Sequence, residues 1–158
     1  MSPIYREIVD RIIAGARANL AMHGRLAAMG FVGKLGNPNI LTIPLPFRNE
    51  DEKIEAIAHL RAVVRIEAAD WVAMIHEAWM LDERYASQYD ALLEKHGRVS
   101  ACPQAIEVVS ITFETPRGVW VATPKLRDCP PSKKRRTFDE PQWRFFGETA
   151  GMFAGILR

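Results

Sequence analysis

The sequence has few of the residues that build disulfide frameworks, metal clusters or membrane spans. Its 158 residues include two cysteines, Cys102 and Cys129, and this number and spacing suit neither a disulfide framework nor a CxxC metal motif. No apolar run approaches the length of a membrane helix. Charged residues interrupt the first twenty positions, so we expect no secretory signal. These features predict a protein of the reducing cytoplasm with free thiols.

A strong net charge is also missing. The formal net charge is +2, so no global field draws the protein to nucleic acid or to an anionic membrane. Sequences of the forms GxxxxGK[ST], GxGxxG and GxSxG, which bind phosphates or present a nucleophile, do not occur. The four histidines, His23, His59, His76 and His96, lack the i, i+4 spacing of metal ligands on a helix. We therefore expect no metal site and no cofactor.

The segment Asp70–Met80 contains two of the four tryptophans and the His-Glu pair of the chain. At the two-residue period of a strand, Trp71 and Ile75 share one face, while Val72 and Met74 share the other. A strand that is apolar on both faces belongs in the middle of a sheet that is covered on both sides, or covered on one side and dimerised on the other. We therefore predict that this segment forms the central strand.

The rest of the sequence alternates helical patterns with hairpin patterns. Ser2-Pro3 is a favourable helix start, and Asn49 and Glu52 have the spacing of a capping box. Gly15 weakens the first helix by about 1 kcal/mol relative to alanine. The predicted elements are a helix over most of 3–29, a hairpin over 31–43, a helix over about 50–68, the central strand over about 71–80, a shorter helix or loop-helix over 82–96, a hairpin over 107–123 and a last strand near 143–146. Residues 147–158 are predicted to form a short closing helix or a buried tail. This order predicts a single α+β domain over residues 1–158, with a largely antiparallel sheet of about five to six strands, two main helices and a short C-terminal helix.

Residues 125–142 are the least hydrophobic part of the chain and contain the run Lys133-Lys134-Arg135-Arg136. We expect an exposed basic loop or hairpin arm here. Four adjacent cations repel one another, so they remain solvated unless an anionic partner binds them. Trp143 and Arg144 follow closely and would extend a binding surface by stacking and by charge. A solvated loop without a partner is the simpler alternative.

His76 and Glu77 are the first candidates for acid–base chemistry. Adjacent residues of a strand point to opposite faces, so this pair is not expected to form one dyad. Apolar neighbours would raise the pKa of Glu77 and suit it to such chemistry. Cys102 lies in an irregular loop a few residues after His96, which offers a thiol near an imidazole. The structural alternatives are that His76 is a hydrogen-bonded core histidine, that Glu77 is a paired carboxylate and that Cys102 is a buried thiol.

The segment from Glu77-Ala78-Trp79 through the hairpin Val108–Val121 resembles a pattern in uncharacterised small bacterial and phage-borne proteins. In these proteins a strand that ends in Glu-Ala-Trp precedes a loop and a strand–turn–strand unit. The resemblance covers about the middle third of the chain. It implies an accessory protein of a mobile element and transfers no activity to any residue.

Two functional hypotheses follow. In the preferred one, the chain is a non-enzymatic bacterial, phage or plasmid accessory protein. It forms a homo-oligomer and binds a macromolecular partner, either protein or nucleic acid, and interference with a host system would fit this role. No membrane contact is expected. In the alternative, the chain is a small hydrolase-like enzyme with a pocket next to the central strand that uses Glu77, His76 or Cys102.

Overall fold

The structure, a computed structural model, describes residues 1–147 and 155–157, apart from the side chains at positions 50 and 133. Its first element is helix α1, Pro3–His23, with Ser2 as an extended N-cap. The sequence predicts a helix over most of 3–29 with Gly30 as a plausible cap, and the helix ends before that glycine, at His23. Gly24 adopts the left-handed conformation (φ 71°), and its N–H donates to the carbonyl oxygen of Leu20 at 2.8 Å. Glycine takes this conformation at little steric cost, which is why it ends helices.

An antiparallel sheet of six strands forms the centre of the fold. In chain order, the strands of the described residues are β1 (Met29–Gly33), β2 (Leu41–Pro44), β3 (Trp71–Leu81), β4 (Ala105–Thr115), β5 (Gly118–Ala122), β6 (Leu126–Cys129), β7 (Ser132–Phe138) and β8 (Arg144–Phe146). The order in the sheet is β2-β1-β3-β4-β5-β8, while β6 and β7 form a separate hairpin. Strand β3 pairs with β1 on one side and β4 on the other. The predicted central strand is therefore confirmed.

The two faces of β3 belong to two different cores, as the apolar residues on both of its faces predict. On one face, called here the α1 face, helix α1 packs against Trp71, Ile75 and Phe113. On the other, called the α2 face, helix α2 (Glu50–Glu67) packs against Val72 and Met74. Burial of large apolar side chains such as these stabilises a fold by about 1.5–3 kcal/mol each. Each main helix thus covers one face of the sheet.

Local signals set the ends of the other helices. The side chain of Asn49 accepts a hydrogen bond from the backbone N–H of Glu52 at 2.9 Å, which confirms the predicted cap of α2. The predicted short helix over 82–96 consists of a 3₁₀ segment, Glu83–Gln88, followed by helix α3, Tyr89–His96. Gly97 ends α3 in the left-handed conformation.

The C-terminal segment closes the α2 face. The predicted C-terminal helix lies mostly within residues 148–154, outside the described residues. Ile156, which is described, is 1% exposed and packs in the core of the α2 face. The carboxylate of Glu114 on β4 is also buried and accepts hydrogen bonds from the backbone N–H groups of Ile156 (2.9 Å) and Leu157 (3.2 Å). Glu114 therefore ties this segment to the sheet.

The arrangement confirms the α+β class. Three α-helices, two short 3₁₀ segments, the six-stranded sheet and the two-stranded hairpin account for the regular structure of residues 1–147. Within the described ranges, no helix has the length and apolar character needed to cross a membrane.

Candidate functional site

The segment that carries the predicted basic arm is the β6–β7 hairpin, which lies against helix α1. Leu126 and Phe138 stand opposite each other in the hairpin register and are buried in the core of the α1 face. The guanidinium of Arg17 on α1 lies 5.0 Å from the centroid of the Phe138 ring and pairs with Glu140 at 2.9 Å. The base of the hairpin is thereby fixed to the helix.

The first three residues of the basic run form a bulge in β7. Asp128 pairs with Arg136, and Cys129 pairs with Ser132. Residues 133–135 consequently have no counterparts on β6, and we call them the basic bulge. A bulge redirects side chains away from the regular pleat. Lys134 and Arg135 are exposed, and within residues 1–147 neither has a carboxylate partner.

The end of helix α1 supports the basic bulge through the backbone. A Cβ atom at Gly24 would overlap the carbonyl oxygen of Lys134, so the two backbones touch at this point. His23 and Arg25, which flank Gly24, are both exposed. The contact therefore brings further basic side chains next to the bulge.

A groove of 620 Å³ lies beside this contact, between the segment that follows α1 and the segment that follows β2. A hydrogen bond from the N–H of Leu45 to the carbonyl oxygen of Ala28, 2.9 Å long, joins the two segments. The groove is lined by His23, Arg25, Arg48 and the half-buried ring of Phe47, among others.

We call the group of Arg25, Arg48, Lys134 and Arg135 the cationic surface. Arg25 and Arg48, like Lys134 and Arg135, have no carboxylate partner in the part of the chain that the structure describes. Sequence reasoning missed both arginines. Each is an isolated cation in the sequence, and only the fold places both along one groove.

Arg136, the last residue of the basic run, has an internal role. Its side chain is 17% exposed and lies between two carboxylates of the sheet, with Nη1 3.5 Å from Oε2 of Glu77 and Nη2 paired with Glu107. The other carboxylate oxygen of Glu77 accepts a hydrogen bond from the N–H of Leu26 at 2.6 Å. This network joins the hairpin, the sheet and the segment after α1, so Arg136 is not part of the cationic surface.

Trp143 and Arg144, also predicted to bind a partner, lie elsewhere. Trp143 is half-buried and packs against the core of the α1 face. Arg144 forms an exposed ion pair with Glu83 at 2.9 Å and lines a separate cavity of 510 Å³ together with Lys125. The structure thus divides the six predicted binding residues among the basic bulge, the Arg136 network and the region of β8.

His76 and Glu77 lie on opposite faces of β3. On the α2 face, the His76 ring is 5.8 Å from the ring of Phe47, and its Nδ1 is 3.0 Å from the carbonyl oxygen of Glu77. Because a carbonyl oxygen only accepts, Nδ1 carries the hydrogen. Burial lowers the pKa of His76, and the nearby charge of Lys53 acts in the same direction, while the backbone hydrogen bond opposes both. The imidazole is therefore neutral in the folded protein at neutral pH.

We expect acid to destabilise the protein through His76. The unfolded chain takes up a proton near pH ~6.5, whereas the folded chain does so only at lower pH, so the unfolded state binds more protons in this window. The free energy of unfolding should therefore fall as pH drops below about 6.5. The His76→Gln variant should lack this part of the pH dependence, and His59→Gln, at an exposed position on α2, should retain it. Urea denaturation at several pH values measures the effect, and equal pH dependence in the wild type and His76→Gln would contradict it.

Cys102 lies in a small separate core. It is 6% exposed and packs with Leu81 and Leu92. Its Sγ is 3.5 Å from the carbonyl oxygen of Arg98 and 3.8 Å from that of Leu92. These contacts are typical of a packed structural thiol. Among the residues described, no group of three or more His, Cys, Asp and Glu side chains is placed to hold a metal ion.

Comparison with known proteins identifies no family for this chain. No family model matches the sequence. No curated protein and no solved structure matches it either. The functional interpretation therefore depends on the geometry and charge of this chain.

Proposed function

We propose that the protein is a non-enzymatic binding protein whose partner is nucleic acid, held at its phosphates by the cationic surface. The observation that carries the proposal is the basic bulge. Lys134 and Arg135 are exposed, have no carboxylate partner within the described residues, and stand on a backbone fixed against the end of α1. Fixed, unpaired cations release counterions from a phosphate backbone and so supply sequence-independent affinity.

The surroundings of the bulge support the same partner. Arg25 and Arg48 line a groove between the segments that follow α1 and β2, and Gly24, next to Arg25, touches the backbone of Lys134. A groove lined by cations from several elements can follow a nucleic-acid backbone, and the Phe47 ring beside it offers an apolar contact for a base. The acidic network of Glu77 and Glu107 is turned toward Arg136.

The contacts of the former catalytic candidates favour binding over hydrolysis. Glu77 is engaged by Arg136 and by the N–H of Leu26, and the Cys102 thiol is buried against backbone carbonyls. Both residues thus have structural roles that account for their positions. The bacterial, phage or plasmid origin, the interference with a host system and the homo-oligomer remain predictions.

We expect the affinity to be modest and to depend strongly on salt. The net charge is only +2, and Arg136 and Arg127 are already paired with carboxylates of the chain. Sequence-independent binding by small cationic surfaces has Kd values of about 10⁻⁴–10⁻⁶ M at physiological salt. The affinity should decrease steeply between about 50 and 200 mM salt.

Reversing two charges of the basic bulge should weaken this binding by about tenfold or more and reduce the slope of log K against log salt by about two. The variant is Lys134→Glu with Arg135→Glu. Fluorescence anisotropy with a short labelled DNA duplex, its single strand and the corresponding RNA measures the change. The matched control is Arg6→Glu with Lys34→Glu, which alters the net charge equally at exposed positions of α1 and of the turn after β1.

The two variants separate a local contact from an effect of total charge. Retention of binding in the control and its loss in the bulge variant would support the proposal. Equal loss in both variants would show that only the net charge matters. The absence of binding by the wild type at low salt would contradict the proposed function.

A further inference from the structure

An apolar pocket of 380 Å³ lies between helix α1 and the end of the sheet formed by β1 and β2, on the α1 face. Ile12 and Ala16 of the helix form one wall, and Met29, Phe31 and Ile40 form the other. Ile75 of the central strand also lines it. The volume lies in the range of about 300–1,000 Å³ that is usual for small-molecule sites. The pocket is therefore next to the central strand, where the enzyme hypothesis placed one, but Glu77, His76 and Cys102 do not line it.

Gly15 in the middle of α1 keeps this pocket open. A glycine inside a helix destabilises it relative to alanine, so its presence calls for a reason. A Cβ atom at Gly15 would meet no atom within 4 Å, and the residue lines the pocket. The packing of the protein thus has room for a larger residue at this position. What the glycine preserves is the empty volume between the helix and the sheet.

The charge of the pocket is confined to one position. Arg11, one helical turn before Gly15, is the charged residue of the lining, while Asn19, one turn after it, and Thr42 on β2 are polar. Arg11 is exposed and has no carboxylate partner in the part of the chain that the structure describes. The rest of the lining is apolar. A single cation at one end of an apolar pocket complements a molecule with an apolar body and one anionic head.

We propose that this pocket binds a small anionic amphiphile. Its apolar body lies over Gly15 between α1 and the side chains of Met29 and Phe31. Its anionic head, a carboxylate or another singly charged group, pairs with Arg11. Asn19 and Thr42 donate hydrogen bonds to polar atoms of the ligand. The site is separate from the basic bulge, so this inference does not depend on the proposed nucleic-acid binding.

Titration with decanoate, at concentrations where it remains monomeric, tests the site by calorimetry and by chemical-shift mapping of the backbone amides. The wild type should bind saturably, with shifts at residues of α1 and β1. Gly15→Leu fills the pocket and should weaken binding by at least about tenfold. Ala14→Leu, which places the same side chain at an exposed position of α1 that does not line the pocket, should bind as the wild type does.

Two further variants separate packing from charge. Gly15→Ala should raise the melting temperature by about 2–4 °C, because it improves helix propensity without a clash, and it should weaken decanoate binding. Arg11→Gln should weaken binding of decanoate by about tenfold while binding of the neutral decanol changes little. Loss of stability in Gly15→Ala would show that the glycine is required for folding and would overturn the argument.

Other outcomes also decide the proposal. Absence of saturable decanoate binding by the wild type up to about 1 mM, or equal binding by the wild type and Gly15→Leu, would overturn it. Sedimentation of the wild type as a dimer that Gly15→Leu alone dissociates would overturn it in favour of a second copy of the chain as the occupant. The loss of binding in Gly15→Leu combined with an unchanged monomer would support it.

Discussion

Replacing Gly24 with alanine is expected to destabilise the protein by about 3 kcal/mol or more, which corresponds to a decrease in melting temperature of about 6–12 °C. Two costs add. A side chain in the left-handed conformation of Gly24 costs about 1–2 kcal/mol. The new Cβ would also overlap the carbonyl oxygen of Lys134, so the helix end and the basic bulge must separate. Thermal and urea denaturation measure the loss.

Gly97→Ala is the matched control for this prediction. Gly97 also caps a helix in the left-handed conformation, with φ +76°, but a Cβ there would meet nothing within 4 Å. It should therefore show only the conformational cost of about 1–2 kcal/mol. If the two variants lose the same stability, the helix end does not support the bulge. The Gly24 variant should also weaken nucleic-acid binding, because it displaces the backbone that positions Lys134 and Arg135.

Replacing Glu114 with alanine is expected to cost about 2–4 kcal/mol and to release the C-terminal segment. The carboxylate is 4% exposed and accepts from the N–H groups of Ile156 and Leu157. Without it, these two amides either remain buried without an acceptor or leave the core, and in the second case Ile156 becomes exposed. Urea denaturation measures the loss of stability, and amide exchange at Ile156 and Leu157 should become much faster.

A chain that ends at residue 154 provides the control for the Glu114 prediction. In the full chain the carboxylate is stabilised by two N–H donors, whereas in the shortened chain those donors are gone. Glu114→Ala should therefore cost much less in the shortened chain than in the full one, because the two changes remove the same interaction. If the costs of truncation and substitution simply add, Glu114 does not hold the segment. Glu114→Gln keeps one oxygen as an acceptor and should have an intermediate effect.

The sequence was sufficient to predict the elements whose signals are local or periodic. The apolar run Trp71–Ile75, which places apolar side chains on both faces of a strand, predicted a strand buried on both faces, and the two cores of the sheet confirm it. The Asn49 cap located the start of α2 to within a residue. The glycine that ends α1 was not identified, because Gly24 and Gly30 are both plausible helix ends. The chain after Gly24 pairs with the sheet, so the helix ends at the first of the two glycines. The helical spacing of apolar residues does not show this pairing.

The candidate site was predicted less completely. The sequence drew attention to the whole basic run, but the fold separates Arg136, held by Glu77 and Glu107, from the exposed Lys134 and Arg135. Which residue of a run of cations meets a carboxylate depends on hairpin register and on the bulge. For the same reason the sequence did not reveal that Arg25 and Arg48 line one groove next to the helix end that touches the run. Both join it through contacts between segments that are distant along the chain.

The sequence by itself determined the α+β class, the central strand, the cap of α2 and the positions of the charges along the chain. Secondary-structure propensity, helix capping and the spacing of apolar residues each depend on a few neighbouring residues. They can therefore be recognised in the sequence. The tertiary structure decided which charges are neutralised, where the segment after α1 meets β7, and which amides donate to Glu114. These outcomes depend on contacts made across the fold. The Glu77 carboxylate, a catalytic candidate in the sequence, became the partner of Arg136 when the hairpin packed against the sheet.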